Sequence, residues 1–228
     1  MNKGIFYAVG VGPGDPELMT RAACRVLEQC PVIAAPQTAS GEMLALTIAA
    51  GSVPMAGKTV LPLSFAMSRD EAVRRDGYAR AAEQIAAQLD AGLDTAMVNL
   101  GDVSIYATAY YVLDVLRSQG YGVHMIPGVP SFCAVAAALG RSLTDMDTPL
   151  HVYPGSAVNL EQALEAPGTK VLMKSGKAIH AVSQTLSRMG KADGSAMVAN
   201  CGLPGQQIFE TMNDLPEEIP YFATVLVP

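Results

Sequence analysis

Apolar segments of strand length alternate with amphipathic helical segments through the first half of the chain, and this alternation constrains the fold more than any other feature. Predicted strands span residues 5–11, 32–35, 59–63, 95–100 and 123–126. The predicted helices between them start at Asp15-Pro16, cover 41–50 and 74–91, and present an apolar face from Ile105 to Leu116. Strands that alternate with helices form a parallel sheet covered on both faces.

The second half has a different pattern, with more strands than helices. Predicted strands span 150–153, 170–174, 196–200, 207–211 and 221–227, one long helix covers 178–189, and another, 131–139, precedes them. This order predicts a second α/β domain with a mixed sheet. We place the boundary near residues 118–122, which gives an N-terminal domain over 1–119 and a C-terminal domain over 120–228.

Composition excludes some classes of function. The chain has 228 residues, 50% of them hydrophobic and 16% charged, and a formal net charge of -6. These values are typical of a globular protein with a sizeable core. Proteins that bind nucleic acid neutralise phosphates with a basic surface, so the acidic balance argues against such a partner.

Cysteine and histidine usage argues against a metal site. The four cysteines, Cys24, Cys30, Cys133 and Cys201, show no C-x-x-C spacing, and there are only three histidines. We therefore predict free thiols in a reducing compartment and no bound metal. No apolar run approaches the ~20 residues of a membrane span, and residues 1–15 do not resemble a signal peptide. We expect a cytoplasmic protein without a membrane partner.

The first glycine turn, residues 10–16, directly follows the first predicted strand. It differs from the dinucleotide loop G-x-G-x-x-G, because Asp15 stands where the third glycine belongs. A carboxylate there would repel a pyrophosphate, and Pro13 removes one amide donor. The turn argues against NAD or ATP and favours a cofactor that has no phosphate or is cationic. The alternative is a tight turn in which Asp15 only caps a helix.

Two further turns follow predicted strands. Residues 99–106 read Asn-Leu-Gly-Asp-Val-Ser-Ile-Tyr, and residues 126–131 read Ile-Pro-Gly-Val-Pro-Ser. Ligands of open α/β sheets bind at the carboxyl ends of strands. There Asp102 could accept hydrogen bonds from sugar hydroxyls or an amino group, and Gly101 would let a ligand approach the backbone. The alternative for Asp102 is a helix cap, and the third turn by itself predicts only a turn.

Taken together, the three turns resemble the tetrapyrrole methylases. That family carries a G-x-G-P-G-D-P-x-L-x-T loop, a central G-D-x-x-x-Y/F loop and a P-G-x-x-S loop, which match residues 10–20, 101–106 and 127–131. Residues 41–46, 144–149 and 173–177 resemble the branch that methylates carbon 20 of precorrin-2 or cobalt-factor II in cobalamin biosynthesis. The resemblance implies a homodimer of two-domain α/β chains with S-adenosylmethionine in the cleft between the domains.

The resemblance also implies site residues. Cofactor contacts carried over from the family fall at Pro13, Leu100, Gly101, Asp102, Ile105, Pro130, Ser131, Met173, Lys174, Gly202 and Leu203. Pro130 stands where the family usually has a small hydroxylic residue, so it can offer only a carbonyl and its shape. The best-placed candidates for a catalytic base are Asp15, Asp102 and Tyr106.

The tetrapyrrole substrate would carry eight carboxylates, so an acidic protein needs local basic residues to hold it. Candidates are Arg69, Arg74, Arg75, Lys174 and Lys177, and the alternative for residues 69–75 is a solvated helix start. For His124, His151 and His180 the default is a structural role. Alternative functions are methylation of uroporphyrinogen III or another corrin-ring position, a related protein or RNA methylase, and a carrier that binds a tetrapyrrole without changing it.

Overall fold

A computed structural model describes residues 3–68, 70–155 and 159–228. The chain divides into two compact units, Met1–Pro130 and Ser131–Pro228. None of the described helices combines the length and apolar character that a membrane span requires.

The first unit contains a sheet of five parallel strands in the order β3-β2-β4-β1-β5. The strands are β1 (Phe6–Gly10), β2 (Val32–Gln37), β3 (Thr59–Ser64), β4 (Thr95–Asn99) and β5 (Val123–Ile126). Every residue of β4 is buried, which fits its place at the centre of the sheet. The predicted parallel sheet is thereby confirmed.

Helices cover both faces of this sheet. They are α1 (Arg21–Gln29), α2 (Leu44–Ala50), α3 (Glu71–Asp90) and α4 (Thr108–Ser118). Side chains of α3 and α4 pack on the sheet face that carries Phe6, Ala8 and Met97. Alternate residues of a strand point to opposite faces, and Ala96 and Val98 are fully buried as well. Both faces are therefore shielded from water.

The prediction that Asp15 starts a long helix was wrong in its extent. Asp15 caps a 3-10 helix of three residues, Pro16–Leu18. Met19 and Thr20 are extended and interrupt the helix. The Thr20 hydroxyl then accepts a hydrogen bond from the Ala23 amide and starts α1. Two helices thus replace the single predicted one.

The predicted apolar helix face from Ile105 also begins too early. Tyr106 has a φ of 49°, in the left-handed region that an α-helix does not use. The α4 helix therefore starts at Thr108, and Ile105 and Tyr106 belong to the loop that follows β4.

The second unit contains the predicted mixed sheet, in the order β6-β7-β10-β8-β9. Among the described strand pairs of this sheet, only β6 and β7 are parallel. The strands are β6 (Leu150–Pro154), β7 (Thr169–Met173), β8 (Ala196–Ala199), β9 (Gln207–Phe209) and β10 (Ala223–Val227). The helices are α5 (Ser131–Ala138), α6 (Leu160–Glu165) and α7 (Ile179–Arg188), of which α6 was not predicted.

The division between the units falls later than the predicted boundary between residues 119 and 120. β5 pairs in parallel with β1, from Phe6 opposite Val123 to Val9 opposite Ile126, so it completes the first sheet. Pairing joins β5 to a strand far away in the sequence, and the local pattern carries no sign of it.

Candidate functional site

Three neighbouring strands of the first sheet end at the same edge. β4 and β5 flank β1, and all three run parallel, so the turns that follow them meet at their carboxyl ends. These are the three turns that the sequence singled out. We call this the glycine edge and define it by residues 10–15, 100–106 and 127–130.

Backbone hydrogen bonds tie the first two turns together. The Gly101 amide donates to the Gly12 carbonyl at 2.7 Å, and the Gly12 amide donates to the Gly101 carbonyl at 3.3 Å. Both glycines have left-handed φ values, 78° and 74°, which a residue with a side chain rarely adopts. Glycine is therefore needed at both positions for conformation.

A different pair of glycines is needed because there is no space for a side chain. A β-carbon on Gly10 would lie 2.7 Å from the Gly101 carbonyl oxygen and 2.7 Å from the Gly128 nitrogen. A β-carbon on Gly128 would meet the same Gly101 oxygen and the backbone of Gly10. The three turns thus contact each other backbone to backbone. By contrast, a β-carbon on Gly101 would have no atom within 4 Å.

Asp102 links the second turn to the third. Its Oδ1 accepts hydrogen bonds from the amide of Ser104, at 2.8 Å, and from the Ser104 hydroxyl. Its Oδ2 accepts a hydrogen bond from the Gly128 amide at 2.9 Å. The side chain is buried. Asp102 therefore connects two segments that are 26 residues apart.

These hydrogen bonds determine the charge state of Asp102. Burial acts to raise its pKa, but the hydrogen bonds from Ser104 and from the backbone amides of Gly128 and Val103 outweigh it, and the pKa is lowered. A carboxylate with a lowered pKa is ionised at neutral pH and is a weak base. The geometry favours a role in holding the turns over a role in proton removal.

The other two candidate bases lie in the same turns. Asp15 is half-buried, and its Oδ1 accepts a hydrogen bond from the Glu17 amide at 2.9 Å, beside the buried Pro13. Burial raises the pKa of the Tyr106 phenol, so this group stays protonated at neutral pH and is suited to donate a hydrogen bond. Of the two carboxylates, Asp15 accepts fewer described hydrogen bonds than Asp102.

In the second unit, the strands β7 and β8 also end at one edge of their sheet. Both run antiparallel to β10, which lies between them. The Ser175 amide donates to the Ala223 carbonyl at 3.1 Å, and the Asn200 amide donates to the Phe222 carbonyl at 2.8 Å. We call this the β10 edge. Its segments 173–175 and 200–203 contain the predicted residues Met173, Lys174, Gly202 and Leu203.

Two residues of the β10 edge have strained backbones. Lys174 has a φ of 57° and Asn200 a φ of 50°. Asparagine tolerates this region, whereas lysine rarely adopts it. Desolvation lowers the pKa of the Lys174 ammonium, although part of the side chain is exposed. Strain in a residue with a partly desolvated charge is typical of functional positions.

The remaining basic candidates lie apart from these edges or have other partners. Arg75 pairs with Glu71 at 2.6 Å on the exposed face of α3, as the alternative of a solvated helix start expects. The Arg74 guanidinium donates to the Ser68 carbonyl at 3.1 Å. The Lys177 ammonium lies 5.8 Å from the centre of the Tyr221 ring. Arg69 lies outside the described residues.

All three histidines have structural contacts, as expected by default. His124 stacks on Tyr7 with ring centres 5.5 Å apart. The Nε2 of His151 hydrogen-bonds to the Pro167 carbonyl at 3.0 Å, and that of His180 to the Glu217 carbonyl at 2.9 Å. Within the described ranges, no three acidic, cysteine or histidine residues are grouped as a metal site would require.

The glycine turns and the two sheets match a known family. The family model of the tetrapyrrole (corrin/porphyrin) methylases covers residues 6–216. The chain is a tetrapyrrole methylase.

The chain covers nearly all of one relative of this tetrapyrrole methylase but only part of another. It is 29% identical to the cobalt-precorrin-2 C(20)-methyltransferase of Salmonella typhimurium, over 98% of this chain and 96% of that protein. It is equally 29% identical to the cobalamin biosynthesis protein CobIJ of Mycobacterium tuberculosis, over 99% of this chain but 46% of that protein. The chain thus spans about half the length of the CobIJ proteins it matches.

A solved structure confirms the predicted fold. The tetrapyrrole methylase resembles the uroporphyrin-III C-methyl transferase from Thermus thermophilus complexed with S-adenosyl homocysteine, with a TM-score of 0.69. The match covers 98% of this chain and 92% of that one, at 18% identity.

The structure adds residues that sequence reasoning missed. Ser104 gives Asp102 two of its three described side-chain hydrogen bonds, and Gly128 gives the third. The Asp-x-Ser spacing is a signal for the Ser104 contact, because an aspartate commonly accepts from the amide two residues on. No local signal could indicate the Gly128 contact, which depends on the sheet order.

Proposed function

We propose that this tetrapyrrole methylase transfers a methyl group from S-adenosylmethionine to carbon 20 of precorrin-2 or of its cobalt-containing counterpart. The supporting observation is that Asp15 and Asp102 lie in two of the turns that meet at the glycine edge. Two carboxylates suit a cationic sulfonium and oppose a pyrophosphate. The end-to-end similarity to the C(20)-methyltransferase of Salmonella typhimurium supports the choice of substrate.

The chemistry requires little of the side chains. When bound, S-adenosylmethionine would supply an electrophilic methyl group: its transfer to an electron-rich carbon of the tetrapyrrole would break the sulfur–methyl bond and release S-adenosylhomocysteine. The protein must align the reactants and exclude water. A proton leaves the macrocycle afterwards, and Asp15 is the group we assign to receive or guide it. The absence of a nucleophilic triad from the sequence motifs agrees with this chemistry.

We assign the contacts of the cofactor to the two edges. The glycine edge would contribute Pro13, Leu100, Gly101, Ile105 and Pro130, with Asp102 holding the turns. The neighbouring Ser131, at the start of α5, completes this set. The β10 edge would contribute Met173, Gly202 and Leu203. Lys174 would pair with a carboxylate of the tetrapyrrole, because its ammonium is partly desolvated and so gains from a charged partner.

We also propose that the protein is a cytoplasmic homodimer with two-fold symmetry. The family resemblance supports the dimer, and closed two-fold dimers are the commonest oligomers. Multi-angle light scattering at micromolar concentration would give twice the chain mass of 23.8 kDa. A mass of one chain would contradict the dimer and leave the assigned chemistry intact.

The decisive experiment is mass spectrometry of the products formed from separate substrates. Precorrin-2, its cobalt form and uroporphyrinogen III are each incubated with S-adenosylmethionine and the protein. A gain of one methyl group on either of the first two, located at carbon 20, supports the proposal. Methylation of uroporphyrinogen III alone would move the function to another branch, and an unchanged bound ligand would indicate a carrier.

Calorimetry tests the cofactor independently of the substrate. S-adenosylhomocysteine should bind at micromolar or tighter affinity, whereas NAD and ATP should show no binding heat. Tight binding of NAD would overturn our interpretation of the first turn.

A further inference from the structure

One peptide unit of the third turn is held at one end by Asp102 of the second turn and at the other by Thr20, the residue that caps α1. The Pro127 carbonyl accepts a hydrogen bond from the Thr20 hydroxyl at 3.2 Å. The Gly128 amide, which belongs to the same peptide plane, donates to Asp102 Oδ2 at 2.9 Å. Thr20 and Asp102 follow different strands and contact opposite ends of this plane. The arrangement joins the second turn, the third turn and the start of α1 through a single peptide.

The sequence of this turn would favour the other orientation of that peptide. Pro-Gly is the typical centre of a type II turn, in which the glycine has a positive φ. The φ of Gly128 lies outside the left-handed range. Residues 127–130 form no hydrogen-bonded turn in the structure, and the Pro127–Gly128 peptide would have to rotate to reach the type II orientation. Tertiary contacts must therefore hold Pro127–Gly128 against its local preference.

The hydrogen bonds of the peptide to Thr20 and Asp102 can hold it in the observed orientation. In the rotated orientation the Pro127 carbonyl would turn toward the ionised Asp102, so two oxygen acceptors would repel each other. The lowered pKa of Asp102 keeps this repulsion present at neutral pH. At the other end, the Thr20 hydroxyl would lose the carbonyl to which it now donates. Both partners therefore favour the observed orientation.

We propose that Thr20 and Asp102 are positioning residues that lock the Pro127–Gly128 peptide and thereby fix the loop 127–130 in its binding conformation. This inference rests on the proposed function, because its effect on binding is felt through the assigned contact at Pro130. Thr20 has two tasks in this arrangement. Its hydroxyl oxygen accepts from the Ala23 amide and caps α1, while its proton goes to Pro127.

The two tasks of Thr20 can be separated by substitution. Thr20→Asp keeps a good helix cap, because aspartate accepts from the helix amides at least as well as threonine. It cannot donate to the Pro127 carbonyl, and its charge repels that oxygen. Thr20→Ser keeps both the cap and the donor. Asp70→Ser is the matched control, because Asp70 caps α3 through the Ala72 amide at 2.8 Å, outside the glycine edge.

The first readout is hydrogen exchange at the Gly128 amide, which needs no ligand. We expect at least tenfold faster exchange in Thr20→Asp, and exchange within twofold of wild type in Thr20→Ser and Asp70→Ser. A purely structural cap would leave the exchange of Gly128 unchanged in Thr20→Asp at equal melting temperature, and that result would overturn the lock.

The second readout is the affinity for S-adenosylhomocysteine measured by calorimetry. We expect Thr20→Asp to bind about tenfold more weakly and Thr20→Ser to bind like wild type. If hydrogen exchange at the Gly128 amide changes but the affinity for S-adenosylhomocysteine does not, the orientation of this peptide does not affect binding, and that part of the proposal is wrong. If wild type itself does not bind S-adenosylhomocysteine, the proposed function fails, while the exchange measurement still decides whether the lock exists.

Discussion

The glycine edge and the β10 edge differ in how the backbone is built at the ends of neighbouring strands. Both lie where neighbouring strands end, and both need backbone that strands and helices cannot supply. At the glycine edge, Gly10, Gly101 and Gly128 bring three turns into backbone contact. At the β10 edge, Lys174 and Asn200 accept left-handed backbones and keep their side chains beside the left-handed Gly202. At the glycine edge, Tyr106 is left-handed beside Gly12 and Gly101.

Under the proposed function, we infer that the two edges bind different ligands. A surface built from backbone does not depend on the identity of side chains, so it suits a ligand that is common to the whole family, such as the methyl donor. An edge that keeps side chains at some cost in strain suits a ligand that differs among family members. Under the proposed function, the ligand that differs between related enzymes is the tetrapyrrole. Five experiments test this contrast.

The largest effect is expected from adding one methyl group at the glycine edge. Gly10→Ala would place a β-carbon 2.7 Å from two backbone atoms of other turns, which cannot rotate away. We expect it to lower the free energy of unfolding by about 3 kcal/mol or more, at the upper end for overpacking. Urea denaturation measures the change.

Gly120→Ala is the control for that change. Gly120 has a φ of 83° and no atom within 4 Å of a β-carbon, so only the left-handed strain of about 1–2 kcal/mol applies. Equal losses in the two variants would show that the three turns are not in tight contact. Gly101→Ala should also cost only this strain, and its β-carbon would project into the space assigned to the cofactor and weaken binding.

The next effect concerns chemistry at the first turn. Asp15→Asn keeps the oxygen that accepts from the Glu17 amide, so the free energy of unfolding should change by less than about 1 kcal/mol. If Asp15 handles the proton, turnover should fall by on the order of a hundredfold. Single-turnover methyl transfer measures this, and the affinity for S-adenosylhomocysteine should hardly change.

The same substitution at the α3 cap, Asp70→Asn, should leave the rate normal. A normal rate in Asp15→Asn would restrict Asp15 to capping.

The third effect concerns Asp102. Asp102→Ala should lower the free energy of unfolding by about 1.5–3 kcal/mol, because the charged hydrogen bonds from Ser104 and Gly128 are lost. It should also weaken the binding of S-adenosylhomocysteine, because Asp102 holds turns to which we assign cofactor contacts. Wild-type affinity in a folded Asp102→Ala variant would show that the carboxylate does not set the site.

The pH dependence of stability follows from the lowered pKa of Asp102. A group whose pKa is depressed by folding stabilises the protein fully above its unfolded pKa of about 3.9 and loses this contribution as the pH falls through its folded pKa. The stability difference between wild type and Asp102→Ala should therefore be constant at neutral pH and shrink only in acid, below about pH 4. A difference that disappears between pH 5 and pH 7 would contradict the assigned charge state.

The smallest effect on stability is expected at the β10 edge. Lys174→Asn replaces a strained residue by one that tolerates a φ of 57°, so the free energy of unfolding should rise by up to about 1 kcal/mol. The variant also loses the ammonium, so the KM for the tetrapyrrole should rise while the affinity for S-adenosylhomocysteine stays the same. Lys177→Asn removes a nearby ammonium without left-handed strain and should not increase stability. Weaker binding of S-adenosylhomocysteine with an unchanged KM for the tetrapyrrole would indicate that Lys174 contacts the methyl donor.

The sequence by itself determined the order of the elements and the position of the turns. Alternating apolar segments place a strand before each of the three glycine turns, and β5 was predicted with the bounds that the structure shows, 123–126. Hydrophobic period and turn residues are local properties, so they are readable without a fold. The pattern of glycine, proline and aspartate in the turns was also enough to suggest the family that the comparison then established.

Only the tertiary structure decided which segments meet. Sheet order makes β5 the neighbour of β1, and this placement brings Gly128 to Asp102 and Thr20 to Pro127. It also overrides local preference, as when the Pro127–Gly128 peptide is held out of a type II turn. The physical reason is that a hydrogen bond between distant segments depends on strand pairing, whereas the local pattern records only the conformation that each segment favours by itself.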